Sequence, residues 1–328
     1  MSYFHLNLIL KGKLTVCCLL MLLAVPLNAQ REAKQIGDFK ESISLNEHLR
    51  GTKRTLQYCP DGDEFVCVNG KNRYTRALYG SHSPFRVETS DRPVFAFYNN
   101  GRGGNISFKV ILRDGTELAL DCTGHCESRY SAGKRTYYLT DPSWGKGELR
   151  ISVLALADMD GAIWRFSPSN MPKGAILRWQ HGGATGKRLS RNGDMGVDPA
   201  DCFELPAEAT DLVTGELPLQ KEVYLVRGEV PEGYNVRKLY QQAEAASLAL
   251  ASHLKIETPD PYLNTLGGAL VAAADGIWDG QVWLHGAIGW RMPLSGWRAG
   301  YTGDALGWHD RARTHFDAYA ASQVTDVP

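Results

Sequence analysis

The chain has 328 residues, enough for two ordinary domains, and its 36 Lys plus Arg balance 36 Asp plus Glu. A formal net charge of zero, with no basic patch or acidic tail, argues against nucleic acid and against a strongly charged partner. Hydrophobic residues at 43% and aromatics at 10% supply ample core material.

The N-terminus reads as a targeting segment. Lys11 and Lys13 form a positive region, Leu14–Ala24 is an apolar run too short to span a bilayer comfortably, and Pro26 breaks it. Ala29 offers a small residue for cleavage before Gln30, so residues 1–29 are expected to be a signal peptide and the mature protein secreted or periplasmic. A lipoprotein signal would want a small residue before Cys17, where Val16 stands, and no other run is long and apolar enough to cross a membrane. Beyond Ala29 the cysteines are Cys59, Cys67, Cys122, Cys126 and Cys202. Disulfides and buried free thiols are both open readings for them. Their spacing matches no standard zinc pattern, and neither a metal nor a cofactor is expected.

Residues 31–50 form a polar leader, and residues 30–230 are expected to be a β-domain. From Lys53 to about Gly228, short β-branched and aromatic runs are separated by turn residues. The expected strands are Arg54–Tyr58, Glu64–Val68, Val94–Tyr98, Ile106–Leu112, Thr116–Leu120, Thr136–Leu139, Glu148–Ala155, Ala162–Phe166, Ala175–Trp179 and Glu222–Val226. Between them stand Asp61-Gly62, Asn69-Gly70, Asp114-Gly115 and Asp160-Gly161, dipeptides that tolerate positive φ in tight turns. Strands this short and this regularly punctuated imply a large antiparallel sandwich. Residues 181–201 (HGGATGKRLSRNGDMGVDPAD) interrupt the pattern as a loop. Gly186-Lys187 invites a phosphate-loop reading, but the glycine spacing is wrong and Arg188 stands where Ser or Thr should be. Asp194, Asp198 and Asp201 lack the ligand spacing of a calcium loop, so simple turns explain the segment better.

The texture changes at Pro231. Val236, Leu239, Tyr240, Ala243, Ala246 and Leu250 recur at helical spacing, so residues 233–254 are expected to be an amphipathic helix within a linker, 231–260. The proline-rich joint KIETPDP follows. A second helix over 262–275 is apolar and small on nearly every face, which implies burial on all sides. After a long aromatic loop, a third helix is expected from about Gly307 to Val324. Residues 261–328 thus begin a helical domain.

Within Trp283–Tyr319, tryptophans are interleaved with arginines, aspartates, histidines and glycines at no fixed period. Flat rings beside Asp, Arg and His suit a sugar: a ring packs the C–H face of a pyranose while charged groups take its hydroxyls. The alternative is an aromatic-rich helix junction that only packs. Trp297 and Trp308 either stack on a sugar or fill core. Arg298 and Arg311 either bind hydroxyls or a uronate carboxylate, or pair with Asp304 or Asp317. Asp310 stands at the start of a helix, where the dipole also favours a carboxylate.

The joint Thr258-Pro259-Asp260-Pro261-Tyr262-Leu263-Asn264 resembles the entry to the helical toroid of cellobiose-phosphorylase-like and related six-hairpin glycosidases. Gly303-Asp304-Ala305-Leu306-Gly307-Trp308-His309-Asp310 resembles their segment at the mouth of the barrel. The resemblance implies a large supersandwich-like β-sandwich, a linker helix and the first helices of an (α/α)6 toroid. The chain also resembles a family of large secreted proteins of gut Bacteroidetes, a domain of unknown function set among polysaccharide-utilisation genes. That likeness is carried by Arg76-Ala77-Leu78-Tyr79-Gly80, by Gly182-Gly183-Ala184-Thr185-Gly186-Lys187, and by Trp290-Arg291 through His315-Phe316.

Carried onto this sequence, the resemblance implies that Asp310 takes sugar hydroxyls, with His309 where the distant phosphorylases have an arginine. Trp297, Arg298, Asp304, Trp308, His309, Asp310 and Arg311 are the expected substrate-binding residues for an oligosaccharide or polysaccharide. A twelve-helix toroid needs roughly 300 residues, far more than follow Pro261. Glycoside cleavage needs two carboxyl groups flanking the bond, and in the resembled enzymes the acid comes from a later hairpin. The expectation is the N-terminal portion of a glycosidase-like protein that supplies recognition without cleavage. A glycan-binding sandwich with no catalysis is the alternative.

Overall fold

The computed structural model describes residues 57–99, 102–188, 212–284 and 296–326. The expected signal segment, the polar leader, residues 189–201 of the Gly/Asp loop and Cys202 lie outside the described residues. The chain divides into two compact units, residues 1–61 and 62–328. In the first, Cys59–Asp61 forms a short strand, β1.

The second unit carries β2 (Glu64–Val68), β3 (Arg76–Leu78), β4 (Arg86–Thr89), β5 (Phe95–Asn99), β6 (Arg102–Ile111), β7 (Glu117–Ala119), β8 (His125–Ser131), β9 (Lys134–Thr140), β10 (Glu148–Ala155), β11 (Gly161–Ser169), β12 (Ile176–Arg188), β13 (Val213–Pro218) and β14 (Val223–Gly228). They form two large antiparallel sheets. One takes six strands from this unit, in the order β2-β8-β9-β10-β11-β14. The other runs β13-β12-β6-β5-β4-β3, with β7 beside β6. Turn chemistry works as read from the sequence: Asp114 Oδ1 accepts the Thr116 amide at 2.9 Å, and Gly115 takes φ +88° between β6 and β7.

The core lies between the sheets. Strand alternation sends Ile106, Phe108 and Val110 of β6 inward, where they meet Ile151, Val153, Trp164 and Phe166 of the facing sheet. Phe95 meets Tyr137 and Trp164 edge-on at centroid distances of 5.7 and 5.6 Å. The four described cysteines carry free thiols, and burial pushes Cys67 and Cys126 up to about 12.

The first sheet is covered on its second face as well. Helix α1 (Val236–Ala251), capped by Asn235 through the Lys238 amide, lays Leu239, Tyr240 and Ala243 on Leu154, Leu156 and Ile163. Ser247 donates to the Ala132 carbonyl at 2.7 Å, and Lys134 meets Glu244 at 3.1 Å, so the β8–β9 hairpin also holds this helix.

Helix α2 (Pro261–Gly276) starts at the proline-rich joint. Asp260 caps it through the Tyr262 amide at 2.8 Å. Asn264 closes the joint: its Oδ1 accepts from the Thr258 amide at 2.7 Å while its Nδ2 donates to the Thr258 carbonyl at 2.9 Å. Gly267 and Gly268 admit the Leu254 carbonyl and Ala251, which explains the small residues. The expected all-round burial does not hold, because Leu263 and Leu270 remain 47% and 51% exposed on one face.

Two further helices follow, α3 (Gly296–Ala305) and α4 (His309–Ala321). The first was expected to be loop. No helix among the described residues is long and apolar enough to cross a membrane.

Candidate functional site

The aromatic stretch condenses around glycines. An added Cβ at Gly303 would lie 2.0 Å from the Trp283 ring, at Gly300 2.4 Å from Phe316, and at Gly276 2.2 Å from Tyr79. Each glycine is therefore a flat seat for a ring, where even a methyl group has no room. Trp283 is buried, donates Nε1–H to the Ala274 carbonyl at 3.1 Å, and packs tilted against Trp278 at a centroid distance of 4.6 Å. Its amide donates to Nδ1 of the buried His315. Trp278 and Trp283 are thus core residues of the helical part.

Polar groups gather beside this core at the C-terminal end of α2. Asp275 Oδ1 accepts from Arg311 of α4 at 2.7 Å and lies 3.2 Å from Nε2 of His82 in the β3–β4 connection. Burial alone would push the Asp275 carboxyl up, but the hydrogen bonds and charges of His82 and Arg311 together hold it below the ordinary carboxylate range. The Arg311 guanidinium lies over Trp308 at 4.6 Å, and the His253 ring lies 5.4 Å from the same indole. Arg86, fully buried, donates Nη2–H to the Gly276 carbonyl at 2.8 Å and so holds the end of α2 against β4. Two residues along, burial pushes the Glu88 carboxyl up to about 8, only partly opposed by the charge of Arg86.

A cavity of about 200 Å3 opens here, with Tyr79, His82, Ser247, Leu250, Ala272 and Asp275 in its wall. Among the described residues Asp275 is its one carboxyl group. Among the described residues no group of three or more His, Cys, Asp or Glu side chains is placed to hold a metal ion.

The expected site residues separate into three places. Trp308 and Arg311 join the Asp275 cluster, and Arg311 pairs with Asp275 in place of the expected Asp304 or Asp317. Asp304 and His309 pair with each other on the surface at 2.5 Å. Asp310 lies in the first turn of α4 with its side chain 97% exposed, 3.8 Å from Arg313. Trp297 and Arg298 fall in α3, and their side chains lie outside the described part. Sequence reasoning missed Asp275 and His82. Asp275 carried a signal, being the sole charged residue in an otherwise apolar helix; His82 carried none.

A larger cleft, of about 630 Å3, lies on the outer face of the second sheet. Asn105, Ser107 and Gln180 line it, alternating with inward-facing Ile106, Phe108 and Trp179.

Two comparisons bear on this molecule. A family model described as a domain of unknown function (DUF4450) matches residues 100–228, the stretch that contains β6 to β14. No curated protein matches the chain. The Gly-rich segment within the match is strand: Gly182 and Gly183 of β12 pair with Asn105 and Gly104 of β6, where a phosphate loop would be a turn before a helix.

Proposed function

We propose that the chain is the N-terminal portion of a secreted or periplasmic carbohydrate-active protein. The best reading of that protein is a glycoside hydrolase acting on complex plant or host glycans, akin to the six-hairpin glycosidases and set among polysaccharide-utilisation proteins. The observation that carries this is the convergence of Trp308, Arg311 and Asp275: an indole under a guanidinium that pairs with a carboxylate, and that carboxylate lines a cavity. In that cavity Asp275 supplies a carboxylate for sugar hydroxyls, and glycoside hydrolysis would call on a second carboxyl group across the bond. The remaining carboxyl groups then belong to later helical hairpins, and the exposed apolar face at Leu263 and Leu270 is what such hairpins would cover.

Isothermal titration of the chain against a panel of pectic and host oligosaccharides tests this reading, with Trp308→Ala as the control. Binding that Trp308→Ala weakens about tenfold supports it. A panel in which nothing binds removes it, and a gene with no helical hairpins encoded downstream removes the hydrolase assignment. The cleft on the second sheet favours one alternative, a glycan-binding sandwich without catalysis, and binding that survives deletion of residues 255–328 would select it.

A further inference from the structure

We propose that the cleft on the outer face of the second sheet binds an acidic saccharide, one that carries a carboxylate or a sulfate among its hydroxyls. This rests on the carbohydrate reading above and adds a second site, on the sandwich.

The cleft has a rigid floor and a fixed wall. Its floor lies on adjacent strands, with Ser107 of β6 opposite Gln180 of β12 in register. The wall is the connection from β2 to β3, including Gly70, Lys71 and Asn72. That connection is tied down from below. Asp91, fully buried, accepts the Asn72 amide on Oδ2 at 2.9 Å, and its Oδ1 lies 3.6 Å from Arg135, itself 1% exposed. A Cβ on Gly70 would lie 2.4 Å from Asp91 Oδ2 and 2.5 Å from Cys67 Sγ, so glycine alone lets the wall rest on this ion pair. The Asp91 charge is matched by Arg135 inside the sandwich and leaves the cleft's own charge standing.

That charge is positive. Among the described residues, Lys71 and Arg92, with Arg73, line the cleft against one carboxylate, Asp121, although the whole chain sums to zero. Arg92 is positioned by neutral oxygens: Nη1 donates to the Asp121 and Thr123 carbonyls at 3.0 and 2.8 Å, and Nη2 donates to Asn69 Oδ1 at 3.3 Å. These bonds use three of its five N–H groups, which leaves Nε–H and one Nη2–H without a protein acceptor among the described residues. Neither Arg92 nor Lys71 makes an ion pair among the described residues. A guanidinium held in place with donors to spare is suited to an oxyanion. The carboxamides of Asn72, Asn105 and Gln180 both donate and accept, as sugar hydroxyls do.

The test is isothermal titration of the full chain with tetragalacturonate, a chondroitin sulfate tetrasaccharide and uncharged galactotetraose, each at low and at high salt. We expect at least one acidic probe to bind about tenfold tighter than the neutral one and to weaken with salt. The two acidic probes separate carboxylate from sulfate. Arg92→Gln and Lys71→Gln are each expected to weaken acidic binding severalfold while sparing the neutral probe. Lys71→Gln keeps the test valid if Arg92→Gln unfolds, because among the described residues Lys71 has no ion-pair partner that its loss would orphan. Equal binding of acidic and neutral probes overturns this proposal and leaves the carbohydrate reading intact. So does acidic binding that Trp308→Ala abolishes and Lys71→Gln does not. Failure of every probe overturns both.

Discussion

Burial pushes the Glu88 carboxyl up to about 8, and its Oε1 has no hydrogen-bond partner among the described residues. Its folded value lies above that of an unfolded glutamate, near 4.3. The folded state therefore binds the proton more tightly, and Glu88 contributes stability that is fully present below the unfolded value and lost as pH rises through about 8. Asp275 has the opposite sign: its lowered carboxyl contributes stability above the unfolded value, lost as pH falls through the folded one. Glu88→Gln should thus remove the fall in stability that runs from about pH 4.3 to about 8, by on the order of a few kcal/mol, and leave the Asp275 loss at lower pH in place. Urea midpoints measured from about pH 4 to 9 would show it, and an unchanged slope between those two values would contradict it. At this scale the sequence was partly legible. Trp308 and Arg311 do sit in a polar and aromatic cluster, but the partner of Arg311 is Asp275, which lies 36 residues away. Local spacing pointed to Asp304 or Asp317, because it holds no information about which distant helix end will arrive.

The joint ahead of α2 shows why a short motif can be recognisable for structural reasons. Asp260 caps, Pro261 fits the first turn, and Asn264 reaches back to Thr258. Asn264→Ala should cost about 1 kcal/mol and raise amide exchange at 258–264, readable by mass spectrometry. Gly303→Ala should cost more, about 1–3 kcal/mol in urea unfolding, because its methyl would enter the Trp283 ring. That contact also explains why α3 escaped prediction: Gly296, Gly300 and Gly303 give it poor helix propensity, and ring packing overrides the deficit. The strands divide similarly. Glu64–Val68 and Glu148–Ala155 fall where their alternation placed them. The expected Arg54–Tyr58 strand is not seen at Gln57 and Tyr58, and its first three residues lie outside the described part. Strand β4 was missed because Arg86 and Glu88 read as surface charges, yet both are buried. Strand β8 was missed because its inward residues include Cys126 and Ser128, which do not announce a core.

For the whole molecule, sandwich-then-helices was legible because hydrophobic period and turn residues are local signals repeated along the chain. The two concavities were not, since each assembles residues from strands or helices far apart in sequence. The same holds for the outer surface of α2, where apolar composition implied burial and the structure leaves Leu263 and Leu270 open. Leu263→Glu with Leu270→Glu should change stability by no more than about 0.5 kcal/mol per site and reduce self-association in light scattering. A large loss of stability would instead mean that this face is covered.

The first sheet has one more consequence, for the order in which the protein assembles. Strands β8, β9, β10 and β11 follow one another both along the chain and across the sheet, so each can pair as soon as its hairpin turns. Strand β14 must wait, because β12 and β13, which belong to the opposite sheet, are spelled out before it. Helix α1 then seals β10 and β14 together. Early structure should therefore grow in residues 125–169, and the slow step should be the long-range closure of β14 onto β11. Pulse-labelled refolding would find the amides of β9 and β10 protected first and those of β14 last.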